Sequence, residues 1–297
     1  FNHKDLLDRV NTPKDLSRWE MAPQVVNAYF QPTSNEIVFP AAILQPPFYY
    51  KSIDEIDTDL GDVPRDTPGL LDALNFGGIS AVVGHECSHG VDDQGSKYDH
   101  EGNLNNWWAD EDREMFDAKC KLMARQAENF TIEEVDDEGN TVVHKQSAEL
   151  TMGENLSDVG GLSIACKAML KRLHPEVAAA AAQIAEAKPK RSMFGLFGRG
   201  KKKAAAAKAQ AEERLLQLKE EESKLRRLHL EAFFRSWATI WRSKQSKAFE
   251  VKMLAIDPHA HTRFRGNAVK NLDEFYEIFE ISEEDPMYLR KSQRVQM

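Results

Sequence analysis

The chain is predicted to be α+β and mostly helical, and three stretches of its sequence carry that prediction. The run LLDALNFGGISAVVG, residues 70–84, is apolar and uncharged after Asp72. It opens after Pro68, leads into His85 and stops at Gly90, which marks a buried helix. The run GENLSDVGGLSIACKAML, residues 153–170, reads as a second helix. Near the start, residues 25–30 and 36–39 are β-prone apolar runs on either side of Gln31-Pro32-Thr33-Ser34-Asn35, giving a strand, a turn and a strand.

Residues 1 to about 66 thus hold the hairpin and a loop rich in Asp and Pro. The first long helix ends in His85-Glu86-Cys87-Ser88-His89. Helix positions four apart share a face, so His85 and His89 direct two imidazoles at one point, a geometry that suits tetrahedral zinc. Glu86 then stands beside a water on that metal and takes its proton, chemistry that hydrolyses a peptide bond. Two histidines on a helix face are also satisfied by ordinary hydrogen bonds. The metal reading is preferred because polar groups at the end of a buried helix need strong partners. Cys87 falls on the other side of the helix and is expected to be a small core residue.

A zinc site of this kind takes a third protein ligand. In the second helix Glu154 and Asp158 are four apart and share a face. Glu154 suits the metal, and Asp158 suits the far nitrogen of a ligating histidine, where it fixes the tautomer. Thr151 with Glu154 also fits a capping box, in which Glu154 only closes the helix N-terminus. Gly160 and Gly161 weaken the helix and are expected where another helix comes close. Between the helices, VDDEGNTVV, residues 135–143, reads as a hairpin turning at Glu138-Gly139-Asn140. Asp92 and Asp93 are read as groups that support the ligands or cap the helix, and Trp107 and Trp108 as core.

Four blocks in order resemble the neprilysin family of zinc endopeptidases, which includes the endothelin-converting enzymes and the bacterial oligoendopeptidase O type. They are VNAYFQPTSNEIVFPAAILQPPF (26–48), GHECSHGVDDQGSKYDHEGNLNNWW (84–108), GENLSDVGGL (153–162) and DPHAHTRFRGNAVKNLDEFYEIF (257–279). The resemblance implies the catalytic half of a thermolysin-like zincin fold with a small substrate-binding sheet. It implies that His85, His89 and Glu154 hold one Zn2+ per chain, that Glu86 is the general base and that Asp158 supports a ligand. It further implies that His259 stabilises the oxyanion, that Arg265 helps bind the substrate backbone, and that Asn27 and Ala28 hydrogen-bond the substrate main chain. Cleavage on the amino side of bulky apolar residues is implied as well. Taken without the family, Asn27 is a polar residue at a strand end, and His259 is a surface histidine with His261 as its competitor.

Two departures stand out. Residues 172–230 form an Ala- and Lys-rich insert, read as two helices joined by KPKRSMFGLFGRGKKK (188–203), with seven basic residues and no acidic one. That linker is either a solvated connector or a basic, apolar-tipped loop (Met193, Phe194, Leu196, Phe197) for acidic lipid or a partner. Catalytic residues then fall in 1–171 and 231–297. The family also carries an N-terminal half that roofs the site and precedes residue 1. This chain is therefore read as a catalytic fragment, a natural short form, or a chain that works with a separate N-terminal chain.

Composition narrows the class. A net charge of −9 disfavours nucleic-acid binding, and no run reaches the ~18 apolar residues of a membrane span. The beginning FNHKDLLDRV lacks a signal peptide's apolar stretch. Cys87, Cys120 and Cys166 are an odd set without repeated spacing, which implies no disulfide framework and fits a reducing cytoplasm. The function read from the sequence is a zinc metalloendopeptidase acting on oligopeptides. The alternative is a zinc-stabilised scaffold that binds peptides or a partner without catalysis.

Overall fold

In the computed structural model, residues 7–15, 17–136, 138–176, 179, 209–210, 212–218, 220 and 223–297 are described. Strands β1 (Tyr29–Gln31) and β2 (Glu36–Val38) pair antiparallel with Phe30 opposite Ile37. Asn35 makes the turn at φ +49°, a conformation asparagine tolerates. The first strand begins later than the apolar run, so Asn27 and Ala28 precede β1 rather than lie within it.

The buried helix runs from Leu70 to His89, but in two pieces. Helix α1 (Leu70–Asn75) is followed by a wide turn, Phe76–Ser80, with Gly78 at non-helical dihedrals, and then by α2 (Ala81–His89). The break frees backbone groups, which find partners from distant segments: Ser236 Oγ donates to Leu74 O at 2.7 Å, and Ile79 N–H donates to Phe48 O at 2.7 Å. A continuous helix, as the sequence predicts, would leave Phe48 and Ser236 without these bonds.

Helix α3 (Asp110–Glu128) comes next, with Asp110, Glu111 and Asp112 in its first turn complementing the helix dipole. Strands β3 (Thr131–Val135) and β4 (Thr141–Lys145) form the expected hairpin, Glu133 facing Val143. Helix α4 (Met152–Leu173) is the central element. It packs on α2 through glycines: a Cβ on Gly161 would sit 2.5 Å from Ala81 O and 2.6 Å from His85 N, and one on Gly84 2.9 Å from Gly161 Cα. The backbones touch because neither helix has a side chain there, which is what Gly160 and Gly161 lead one to expect. Gly161→Ala is expected to lower stability by about 1–3 kcal/mol or more, because the clash is with backbone. Urea unfolding checks this, and a variant as stable as the parent would show that the helices separate freely.

Helix α5 (Ser223–Ile240) closes the core from the other side. Its Leu230, Phe233 and Trp237 are buried with Leu70, Leu74, Leu156, Val159 and Leu162. Burying such side chains contributes about 1.5–3 kcal/mol each. Arg226 and His229, assigned from sequence to the insert, are buried in this helix, so residue 230 falls inside α5. The linker 188–203 with its apolar tip lies outside the described residues. After α5 come α6 (Lys247–Ile256), capped by Ser246 Oγ accepting from Phe249 N–H, then α7 (Thr262–Gly266) and α8 (Asp273–Phe279). Trp108 packs against the core, whereas Trp107 is 51 % exposed, which corrects its reading as core. Its indole N–H bonds to Tyr98 O at the surface. Among the described residues, no helix is long and apolar enough to cross a membrane.

Candidate metal centre and active site

A cleft of about 620 Å³ lies where α2 and α4 cross, with the approach to β1 on one side and the loop after α6 on the other. Asn27, Ala28, His85, Glu86, His89, Glu154, Asp158, His259 and Arg265 all line it. The structure thus brings together every site residue named from the sequence.

Helix geometry sets the centre. His85 and His89 lie one turn apart on α2, and the close crossing at Gly84 and Gly161 brings Glu154 of α4 opposite them. The two Nε2 atoms are 3.0 Å apart; Glu154 Oε2 lies 3.2 Å from His85 Nε2, and Oε1 lies 3.6 Å from His89 Nε2. The other ring nitrogens face oxygens. His85 Nδ1 is 2.9 Å from Asp158 Oδ1, and His89 Nδ1 is 2.7 Å from Asp92 Oδ2 and 3.1 Å from Ser157 Oγ.

With neutral imidazoles, carboxylates at both Nδ1 atoms place the protons there and turn both Nε2 lone pairs inward. Two lone pairs and a carboxylate then converge on one point, with all three ligand atoms within 4.8 Å of one another. Such a group of acceptors repels itself unless a cation, a proton on His85 or a metal ion, sits among it. Two imidazoles and a carboxylate with room for a further ligand match zinc in a catalytic setting.

Electrostatics follow from burial. For His85, burial works downward, but Asp158 and Glu154 more than offset it and hold the imidazole up at about 9. Burial works upward on Glu154, yet His85 and Arg265 leave its carboxyl well below the usual range. Glu86, 5 % exposed, is pushed up by burial above an ordinary glutamate. Thr151 begins α4 without a side-chain cap, its hydroxyl donating instead to Ser147 O at 2.9 Å. Glu154 is therefore free of a capping box and points to the histidines.

The remaining residues occupy distinct places. His259 Nε2 stands 3.5 Å from Glu154 Oε1, and its Nδ1 is 2.9 Å from Asp257 Oδ1. His261 turns elsewhere: it accepts from Arg263 N–H, pairs with Glu250 and stacks on Phe130. Arg265 is buried, and its Nε and Nη2 each donate to Asp158 at 2.8 Å, with the guanidinium 4.0 Å over Trp241. Its first partner is thus Asp158. Asn27 Oδ1 accepts from Ala28 N–H at 2.9 Å. Cys87 is exposed on the outer side of α2, which corrects its reading as a core residue.

Sequence reasoning placed Asp92 near the ligands but did not separate its two tasks. One oxygen meets His89, while the other accepts from the backbone of Gln94 and Gly95. Ser157 and Asp257 were missed. Asp257 carried a signal, two residues before a candidate histidine, whereas Ser157 carried none.

Comparison with known proteins places the chain in a family. Peptidase family M13 matches residues 27–59, 67–217 and 202–295. The neutral endopeptidase of Lactococcus lactis subsp. lactis (strain IL1403) is 33 % identical over 284 residues, covering 95 % of this chain and 33 % of its own length. Endothelin-converting enzyme 1 of Homo sapiens is 32 % identical over 288 residues, covering 97 % of this chain and 29 % of its own. Zinc metalloprotease Zmp1 of Mycobacterium tuberculosis, in complex with inhibitor, superposes with a TM-score of 0.66 at 35 % identity, over 99 % of this chain and 36 % of that one. The chain spans about a third of the length of the curated relatives it matches. With matches across nearly its whole length, the chain belongs to peptidase family M13.

Proposed function

We propose that the chain is the catalytic part of a zinc-dependent endopeptidase that hydrolyses oligopeptides. The observation that carries this reading is the convergence of His85, His89 and Glu154, with Glu86 in the same cleft wall. Held by His85, His89 and Glu154, zinc would polarise a scissile carbonyl and bring the pKa of water to about 7. The chain's own groups do the rest. Glu86 takes the proton of the attacking water and returns it to the leaving amine, a task suited to a carboxyl raised by burial. Asp158 and Asp92 hold the two imidazoles in one tautomer. In its imidazolium form, with Nδ1–H donating to Asp257, His259 turns Nε2–H to the cleft, where it donates to the oxygen that gains charge in the transition state. Asn27 and Ala28 bind the substrate main chain, and Arg265 keeps Asp158 in register while contributing to the substrate wall.

Cleavage of a quenched-fluorescent peptide of about ten residues, with zinc assayed on the same sample, tests the reading. Chelation is expected to lower the rate at least ~100-fold, with recovery on adding back one equivalent of Zn2+. Cleavage that persists without metal would reject it. His259→Ala, at an exposed position, is expected to lower kcat by about 10²–10³ with little change in KM. An unchanged kcat would move the oxyanion donor to another residue.

A further inference from the structure

Behind the metal centre lies a second cavity, of about 200 Å³, between the end of α3, the first two turns of α4 and the short turn Asn267–Asn271. Asp158 belongs to the walls of both cavities. Among the described residues it is the one acid in the second wall, and its oxygens are taken by Arg265 at 2.8 Å and by His85 at 2.9 Å. Two cations, Arg125 and Lys270, also line the cavity, and among the described residues neither pairs with a carboxylate. Among the described residues Lys270 Nζ makes one long bond, 3.3 Å, to Pro286 O, and burial depresses its pKa.

A second observation points the same way. Asn155, also in this wall, is 2 % exposed; its Nδ2 donates to Thr151 Oγ1 at 2.9 Å, while its Oδ1 accepts from no group among the described residues. A buried amide oxygen without a donor is an unmet demand. The cavity therefore offers a surplus of positive charge and a vacant acceptor, with Leu122 and Phe264 supplying apolar wall. At ~30 Å³ per water-sized group its volume holds roughly six or seven non-hydrogen atoms. That is well below the room needed by nucleotides or drug-sized ligands.

We propose that this cavity binds a small carboxylate that also carries a hydrogen-bond donor, an α-amino acid or α-hydroxy acid the size of alanine or lactate. The carboxylate meets Lys270 and Arg125, and the ammonium or hydroxyl meets Asn155 Oδ1. Neither cation belongs to the zinc cleft, so occupancy and metal binding are separable.

Isothermal titration of the zinc-loaded chain with L-alanine, L-lactate, acetate and ethylamine tests the assignment. Alanine or lactate is expected to bind saturably, with acetate and ethylamine at least about tenfold weaker because each meets half of the site. Preference for alanine identifies an amino-acid site, and preference for lactate a hydroxy-acid site. Lys270→Gln and, at the exposed mouth, Arg125→Gln are each expected to weaken binding about tenfold with the thermal midpoint unchanged. Should Lys270→Gln unfold, Arg125→Gln carries the test. Three results overturn the proposal: no heat from alanine or lactate, as for a cavity that holds only water; binding that survives Arg125→Gln in full; or binding lost when zinc is chelated, which puts the ligand on the metal.

Discussion

Glu86→Gln is expected to lower peptide hydrolysis by about 10²–10⁴-fold while zinc content stays at the parent's level. The amide has the size of the carboxyl but cannot accept a proton from water. Glu86 makes none of the contacts that build the metal centre, since the ligand atoms come from His85, His89 and Glu154. Burial of Glu86 has a second consequence for the variant. The parent carboxyl is held above the usual glutamate range mainly by desolvation, so a neutral amide is accommodated at least as well and the fold is retained. The pairing of lost turnover with intact metal is what separates a base from a ligand. Turnover within tenfold of the parent would give the base role to another group, and lost zinc would make Glu86 part of the metal shell. The same variant separates the enzyme from the scaffold alternative, because binding of a peptide by a scaffold does not need a proton acceptor.

The candidate metal centre was legible in the sequence because the spacing within each helix puts its residues on one face. His85 with His89, and Glu154 with Asp158, are four apart on helices that their apolar runs announce. Gly160 and Gly161 even located the crossing, since two adjacent glycines in a buried helix have few other uses. What was not legible depends on where the chain goes between helices. The break at Phe76–Ser80 exists because Phe48 O and Ser236 Oγ come from segments far away in sequence to serve its freed groups. No local pattern encodes that. Helix α3 was not named because it is charged all around except for a narrow stripe, Phe116, Met123 and Ala127, easily lost among Asp, Glu and Lys. Ser157 reaches His89 only because α4 crosses α2 at that angle, and serine in a helix carries no other mark.

Arg265→Met should produce a large loss of stability. The guanidinium is 7 % exposed and sends two 2.8 Å bonds to Asp158, which is 1 % exposed. Removing one partner of a buried ion pair leaves the other charge uncompensated, which costs about 3–5 kcal/mol. Methionine fills the space against Trp241, so the loss reports charge rather than a cavity. Arg265→Lys restores charge but not the paired geometry and should recover only part of the loss. Zinc affinity should fall with stability, by about 10–100-fold, because Asp158 then no longer fixes His85.

The pH dependence supplies a check that simple unfolding does not. Burial raises the Asp158 carboxyl, but Arg265 more than offsets it, so the folded pKa lies below the usual one. The folded state then binds fewer protons than the unfolded state in acid. The pair's stabilisation is therefore fully present above the unfolded pKa of about 3.9 and is lost as pH falls through the depressed folded value. Without Arg265 the dominant remaining influence is burial, which favours the neutral acid. The variant should then lose less stability than the parent between pH 5 and acid, and the gap between their urea midpoints should narrow as pH falls. A gap of constant size across that range would mean that Arg265 acts through packing on Trp241, and that the charge on Asp158 is balanced by His85 alone.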